Sequence, residues 1–396
     1  MEELKSLTNK LLSLKSNLLT VAVTLVCGST AFAVSGPCYN CHTMHNVQNG
    51  IAVNSNGTHP FLLNKSCIAC HTGINDGTNK TPYVFSQTPP IYNATGTEPD
   101  TNTLAGGNFY WMVYGTSVPN TVADECGHNV AELGNPDDIL SAPPGFDGTF
   151  ANAAGEIVGN GTWPAGQQVT CAGLYGCHGH HRPGDDDYKG IYGAHHGNKG
   201  NDGITPLTNA TTVGNSYRFL LGIYGIESAN YEYHPTATNH NQYYGQVRDS
   251  TTLLTASTAD KHTISYLCAE CHGYYHSGSG QISSSDYGVS PWLRHPTDFD
   301  MTDASGSEYQ YYNGATNSTA APYSVIAPVA SDDLTKGVLS VVDVKPGDPP
   351  GTAIVTCISC HRAHGTPYAD ILRWDFRNWP ANGKLNGCTI CHTQKD

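Results

Sequence analysis

The chain has 396 residues, a formal net charge of −14 and only 13% charged residues. An acidic chain of this kind argues against nucleic acids and anionic lipids as partners, because both require a basic patch. Its 43 glycines and 23 prolines predict many loops and few long helices.

Residues 1–33 have the pattern of a secretory signal peptide. Three lysines precede the apolar run LLTVAVTLV, which ends near the small-residue sequence AFA, and we place the cleavage after Ala33. The run is about half as long as a bilayer-spanning helix, and no later stretch is long and apolar enough. We therefore expect an exported protein without a transmembrane anchor, located in the periplasm, on the outer cell surface or outside the cell.

Five motifs of the form C-x-x-C-H occur along the remaining chain. Their cysteines are Cys38 and Cys41, Cys67 and Cys70, Cys268 and Cys271, Cys357 and Cys360, and Cys388 and Cys391, and their histidines are His42, His71, His272, His361 and His392. In this motif two thiols add to the vinyl groups of a haem, and the adjoining histidine ligates the iron. Zinc knuckles and redox dithiols need the same cysteine spacing but no histidine after every second cysteine. The motifs therefore indicate five covalent c-type haems.

Together with these motifs, the blocks GPCYNCHTMHN, GAHHG, SPWLRHPTDFD and CISCHRAHGTPYADILRWD give the chain a family resemblance. It resembles the exported multihaem c-type cytochromes of metal-reducing bacteria, in a family that carries doubled CxxCH motifs. The resemblance implies electron transfer in the periplasm or outside the cell, with redox-partner cytochromes or extracellular acceptors as partners. It extends to cytochromes that polymerise head to tail into conductive filaments, so self-association is also an expectation.

The stretch CAGLYGCHGHH, 171–181, has two interpretations. In the first, Cys171, Cys177 and His178 form a sixth haem site with an enlarged loop, which Gly173 and Gly176 allow to bend outwards. In the second, Cys171 forms a disulfide with Cys177 or with Cys126, and the histidine after Cys177 is a coincidence. We favour the haem site because it requires that histidine, and because it divides a haem-free interval of about 200 residues into two halves.

A haem iron takes a second axial ligand, and the supply of side chains indicates histidine. Only Met44, Met112 and Met301 remain after cleavage, so methionine cannot be the general second ligand, whereas thirteen histidines remain beyond the six proximal ones. Coordination by two histidines closes the iron to small molecules and gives low-potential haems that carry electrons.

Spacing suggests which histidines are distal ligands. His45 and His364 each follow a proximal histidine by three residues, so each shares its helical face and cannot reach the opposite side of its own haem. We expect them to ligate the neighbouring haems at Cys67/Cys70 and Cys388/Cys391, which predicts close haem pairs at both ends of the chain. The other candidates are His128, His196, His240, His276 and His295.

The expected fold is that of a multihaem cytochrome c: mostly coil, with few short helices and short β-strands, wrapped around a chain of haems. Helices are expected around TISYLCAECHGYYH, NSYRFLLGIYG and DILRWDF, and strands at YSVIAPVA, GVLSVVDV and GTAIVT. We expect one domain over 34–396, with a haem pair in 34–95, two haems in 96–356 and a second pair in 357–396. A chain with so thin a core should need its haems in order to fold.

The favoured function is therefore non-enzymatic electron transfer through five or six haems. The main alternative is a reductase of nitrite, hydroxylamine or a sulfur oxyanion, which needs one iron with an open position. Every motif ends in histidine and distal candidates are abundant, so we favour the electron carrier. A haem-free scaffold stapled by disulfides is a third interpretation.

Overall fold

The computed structural model describes residues 38, 41–42, 47–48, 51–52, 63, 66–92, 100–115, 123–137, 139–197, 200, 203–247, 254–277, 297–304, 312–314, 320–344, 351–376 and 387–392. The predicted signal peptide and two of the candidate ligands, His45 and His295, lie outside these residues.

The described helices are short, and most are a single turn. They are α1 (Cys67–Cys70), α2 (Tyr110–Tyr114), α3 (Asp187–Gly190), α4 (Ile264–Ser277), α5 (Cys357–Cys360) and α6 (Cys388–Cys391). Single 3-10 turns occur at Asp124–Cys126, Val158–Gly161, Val213–Asn215, Tyr217–Phe219, Met301–Ala304, Tyr312–Gly314, Leu334–Lys336 and Ala369–Ile371. In the part of the chain that is described, no helix has both the length and the apolar character that a membrane crossing requires.

The strands are two or three residues long. They are β1 (Val47–Gln48), β2 (Ile51–Ala52), β3 (Thr170–Ala172), β4 (Gly176–His178), β5 (Gly225–Ile226), β6 (Gln242–Tyr244), β7 (Phe299–Asp300), β8 (Ala321–Pro322), β9 (Ala330–Ser331), β10 (Val341–Val342) and β11 (Ile354–Val355). Five of them form one sheet in the order β5-β6-β9-β11-β7, in which only the β6–β9 pair is parallel. The remaining six pair two by two as β1–β2, β8–β10 and β3–β4.

The buried apolar side chains are divided among several small clusters. The largest surrounds Tyr312, Tyr323 and Trp374 and packs against Cys360, Cys388 and Cys391. A second contains Tyr217, Tyr243 and Ile354 under the five-stranded sheet, and a third contains Phe85, Phe109 and Met112. The apolar side chains therefore leave unfilled space between the clusters.

The structure confirms the coil-dominated fold. The helix predicted around TISYLCAECHGYYH is α4, and the predicted strand regions GVLSVVDV and GTAIVT contain β10 and β11. The region YSVIAPVA is mostly coil and reaches only Ala330, the first residue of β9. The other two predicted helices are wrong, because NSYRFLLGIYG and DILRWDF form only the single 3-10 turns Tyr217–Phe219 and Ala369–Ile371.

Candidate haem-binding site

Four of the C-x-x-C-H motifs form the same backbone turn. The histidine N–H donates to the carbonyl of the first cysteine over 2.7 to 3.0 Å at His42, His71, His361 and His392. The fifth motif lies inside α4, whose helical geometry is interrupted at His272 (φ −121°, ψ 41°). Because residues three apart share one face of a helical turn, each motif directs both cysteines to the same side.

The sixth candidate site, at Cys171 and Cys177, reaches a similar result with a different backbone. Its cysteines lie in β3 and β4, which pair in parallel so that Ala172 is opposite His178. The loop between them turns at Gly173, where φ is +87° and a Cβ atom would lie 2.9 Å from the backbone of Asp186. No disulfide joins any of the thirteen cysteines that the structure describes.

One connected cavity of about 2810 Å³ runs past these sites. Ordinary small-molecule pockets measure about 300–1,000 Å³, so this cavity has room for several large ligands. Five attachment sites line it through their cysteines and proximal histidines: those of His42, His71, His178, His272 and His361. The cysteines of the last site, Cys388 and Cys391, pack beside the largest core cluster.

Four pairs of imidazoles face each other in this region. Their ring centroids are separated by 6.4 Å for His42 and His196, 6.1 Å for His71 and His195, 6.5 Å for His178 and His364, and 6.1 Å for His272 and His128. Two imidazoles on opposite sides of one metal have centroids about 6.4 Å apart, given metal–nitrogen bonds of roughly 2 Å. By contrast, His240 and Tyr323 stack directly, with centroids 3.6 Å apart. The four gaps therefore have the width that one iron requires.

Backbone carbonyls orient the proximal histidines. The Nδ1 atoms donate to the carbonyls of Pro82, Arg218, Pro144 and Asp370 over 2.6 to 3.0 Å, from His71, His178, His272 and His361 respectively. The distal His128 donates in the same way to Ala363 over 2.6 Å. A proton held on Nδ1 leaves Nε2 as the ligating nitrogen and fixes the direction of the ring.

One comparison with known proteins agrees with the interpretation of these residues as haem-binding sites. No protein-family model matches the chain. The chain is 29% identical to the C-type cytochrome OmcS of Geobacter sulfurreducens over 367 residues, which cover 85% of this chain and 78% of OmcS. This similarity to a c-type cytochrome extends over most of both chains.

Two solved structures are also similar to the chain. The Outer Membrane Cytochrome S filament from Geobacter sulfurreducens is 21% identical, with a TM-score of 0.43 over 86% of this chain and 84% of that one. The OmcS nanowires from the same organism are 20% identical, with a TM-score of 0.41 over 86% and 83% of the two chains.

Six of the eight facing histidines are held in the neutral form that binds a metal. Burial lowers the pKa of His195 and His272 to about 4 and that of His364 to about 3. Burial also lowers the pKa of His71, His128, His178 and His361. A neutral imidazole keeps a lone pair for a metal, so these rings need no deprotonation to act as ligands.

Consecutive attachment sites lie side by side. The side chains of Cys67 and Cys171 are hydrogen bonded, as are those of Cys268 and Cys357. Cys177 lies within electrostatic range of Cys271, and Cys360 within range of Cys388. The first two sites are connected because their facing histidines, His196 and His195, are adjacent residues. The six candidate sites therefore follow one another in space in the order of the sequence.

Three arginines line the same cavity, Arg218, Arg362 and Arg373. The Nε atoms of Arg218 and Arg362 are buried without a hydrogen-bond partner, although Arg362 forms a 2.6 Å ion pair with Asp100. Arg373 is 8% exposed, and its Nε donates to the carbonyl of Ile358 over 2.7 Å. Arginine side chains in this position can form ion pairs with the carboxylates of a haem, because a buried charge needs an opposite charge beside it.

The structure brings together some of the predicted distal ligands. His128, His196 and His364 each face a proximal histidine, but His364 faces His178 and not the C-terminal pair of sites to which its spacing pointed. Sequence reasoning missed His195, which faces His71, whereas the adjacent His196 faces His42. The only available signal was its position in the glycine-rich stretch GAHHG.

Two other predicted ligands have no ring nitrogen left for iron. Both nitrogens of His240 are hydrogen bonded to carbonyls, those of Asn241 and Leu339, over 2.7 and 2.8 Å. His276 contacts the carbonyl of Leu254 at 2.9 Å and Asp298 Oδ2 at 2.7 Å. In this arrangement the two histidines connect parts of the protein.

Proposed function

We propose that the protein is an electron carrier with six covalently attached c-type haems, each held between two imidazoles. Bound haem c supplies an iron that alternates between the ferric and ferrous states. The set of four facing imidazole pairs along one cavity is the observation that carries the proposal. Two imidazoles at one iron leave no coordination position for a substrate, so such a site exchanges electrons and does no chemistry on a ligand.

The cytochrome's own residues would perform three tasks. Carbonyls of four loop residues hold four of the proximal imidazoles in one tautomer, in which Nε2 would be the nitrogen that binds iron. Arg218, Arg362 and Arg373 place positive charge along the cavity and would hold the haem carboxylates. The contacts between consecutive sites give electrons a path along the whole molecule.

Six irons need six distal ligands, and the facing pairs supply four of them. We assign His196, His195, His364 and His128 to the sites of His42, His71, His178 and His272. His45, which its spacing predicted for the neighbouring site of His71, and His295 lie outside the described residues and remain candidate distal ligands. We assign His240 and His276 a structural role, because their ring nitrogens are already bonded within the protein.

The reductase alternative requires an iron with an open position. The four facing pairs argue against such an iron at their sites, and no observation favours one elsewhere in the described part of the chain. We therefore place the cytochrome among electron carriers.

The relative OmcS supports a proposal about assembly and location. Solved structures of OmcS are described as a filament and as nanowires. We propose that copies of this cytochrome also associate, and that they act at the outer cell surface or outside the cell, with partner cytochromes or extracellular acceptors. Electron micrographs of the purified protein would show threads.

The haem count tests the central proposal. We expect the intact mass of the secreted protein to exceed that of the polypeptide by six haems, and the reduced protein to bind little carbon monoxide. The double variant Cys171→Ser/Cys177→Ser should lose one haem, whereas Cys126→Ser, which changes a cysteine outside the attachment sites, should keep all six. A wild-type mass with five haems would support the disulfide interpretation of Cys171 and Cys177.

A further inference from the structure

His181 connects the third attachment site to the fourth. Its ring is buried, with 2% of the residue exposed. Its Nδ1 lies 3.0 Å from the carbonyl oxygen of Gly173, in the loop between Cys171 and Cys177. Its Nε2 lies 2.8 Å from Oε2 of Glu270, which stands between Cys268 and Cys271 in α4. One imidazole therefore bridges the interiors of two neighbouring attachment motifs.

The bonding pattern excludes His181 as an iron ligand and indicates a bridge. Both ring nitrogens are engaged, one by a carbonyl and the other by a carboxyl group, so neither is available to a metal. Glu270 is buried as well, with 4% of the residue exposed, so its bond to His181 is shielded from water and from salt. A third contact, from the His181 backbone N–H to Glu156 Oε2 over 2.9 Å, fixes the residue at its own position.

The third site needs such a contact more than the others do. Standard motifs form a helical turn that holds their two cysteines, whereas Cys171 and Cys177 lie in strands of three residues each. Two residues outside the Cys171–Cys177 loop hold it in place. Glu132 Oε1 accepts a hydrogen bond from the Cys171 N–H over 3.0 Å, and His181 forms the bridge to Gly173. Of these two contacts, the His181 bridge is the one that reaches the next attachment site.

We propose that His181 is a positioning residue for electron transfer between the third and fourth haem sites, because it holds the Cys171–Cys177 loop against α4. The inference rests on the proposed function, since it requires a haem at Cys171 and Cys177. It assigns to His181 a role that acts through Gly173 and Glu270 and involves no contact with iron.

The experiment compares three single variants of the secreted holoprotein. His181→Ala removes the bridge, His181→Gln keeps an amide that can donate to Glu270, and His180→Ala is the matched control. His180 is the adjacent histidine and also binds a carboxylate, Glu156, which contacts the His181 backbone N–H but belongs to no attachment site. The measurements are intact mass, the exciton signal in Soret circular dichroism, which depends on the relative orientation of neighbouring haems, and a potentiometric titration.

We expect all four proteins to have the same low-spin spectrum, and only His181→Ala to differ strongly from wild type in haem–haem geometry. Its exciton signal should change shape and two of the six midpoint potentials should shift, with His181→Gln intermediate and His180→Ala like wild type. A His181→Ala protein with five haems, beside a control with six, would support the same role, because the loop would no longer present its cysteines. Wild-type exciton signals and potentials in a six-haem His181→Ala protein would overturn it.

A second pair of variants tests the bridge from α4 if His181→Ala does not accumulate. Glu270→Gln keeps an acceptor for His181 and should preserve the exciton signal, whereas Glu270→Ala removes the acceptor and should change it. Equal signals in the two variants would contradict the bridge. A wild-type protein that carries only five haems would count against the proposed function itself, so the two failures are distinguishable.

Discussion

His364 and His240 show how the surroundings of a ring nitrogen decide the role of a histidine. His364 lines the cavity and faces His178 across 6.5 Å, and its Nδ1 is buried without a hydrogen-bond partner. His240 is packed against Tyr323, with a carbonyl at each ring nitrogen. The first ring is arranged to bind something between itself and His178, and the second is arranged to hold two stretches of backbone.

This contrast gives a prediction for two matched alanine variants. His364→Ala should convert one of six haems to a high-spin form that binds carbon monoxide when reduced, because one iron loses its second imidazole. His240→Ala should leave every haem low-spin but lower the free energy of unfolding by about 1–3 kcal/mol, since buried carbonyls lose their donors. Electron paramagnetic resonance and thermal unfolding measure the two effects. A high-spin signal in His240→Ala and none in His364→Ala would reverse our assignment.

Sequence could indicate that His364 serves a neighbouring site but not which one. The three-residue spacing from His361 is a local constraint, whereas its position opposite His178 depends on packing between segments far apart in the chain. The same holds for His181 and His276, whose carboxylate partners, Glu270 and Asp298, come from other segments. The proximal ligands were accessible to sequence reasoning because cysteines and histidine are neighbours in each motif.

At the level of elements, the two incorrect helix predictions have one physical cause. In each segment a carbonyl that a helix would use internally turns outward to a proximal histidine: that of Arg218 to His178 and that of Asp370 to His361. Arg218 and Asp370 have φ values of +48° and +58°, which no right-handed helix accepts. The apolar periodicity of these segments indicates that they are buried. It does not indicate that one of their carbonyls must accept a hydrogen bond from a proximal histidine.

The enlarged loop of the third site yields a prediction at this scale. Gly173→Ala should destabilise the protein by about 3 kcal/mol or more, because alanine is strained at a φ of +87° and its Cβ would collide with the backbone of Asp186. Gly155→Ala is the matched control: φ is +81° there, but no atom lies within 4 Å of the position that an alanine Cβ would take, so only the strain of about 1–2 kcal/mol applies.

Thermal unfolding and haem count distinguish these two variants. We expect Gly173→Ala to lose haem from the third site in part of the molecules, whereas Gly155→Ala should retain six haems. Equal stability and equal haem content would mean that the loop can move away from Asp186, and that its tight turn is unnecessary for attachment.

At the scale of the whole molecule, the chain builds its interior around the cavity. The apolar clusters are separate, the strands are two or three residues long, and the cavity of about 2810 Å³ runs between them. Without a ligand, water would fill this cavity, and the apolar side chains that line it would lose the burial that stabilises a folded chain. Total stabilities of domains are only about 5–15 kcal/mol, so the protein part alone cannot maintain this shape.

The polypeptide should therefore not fold without covalent haem. Produced in a host that exports it but does not attach haem, the chain should lack near-ultraviolet circular dichroism, show no cooperative thermal transition and be cleaved rapidly by protease. The Cys171→Ser/Cys177→Ser variant with its other haems attached should remain folded, because the other sites still fill most of the cavity. A haem-free chain that resists protease and unfolds cooperatively would show that the short strands and small clusters suffice, and that haem enters a preformed scaffold.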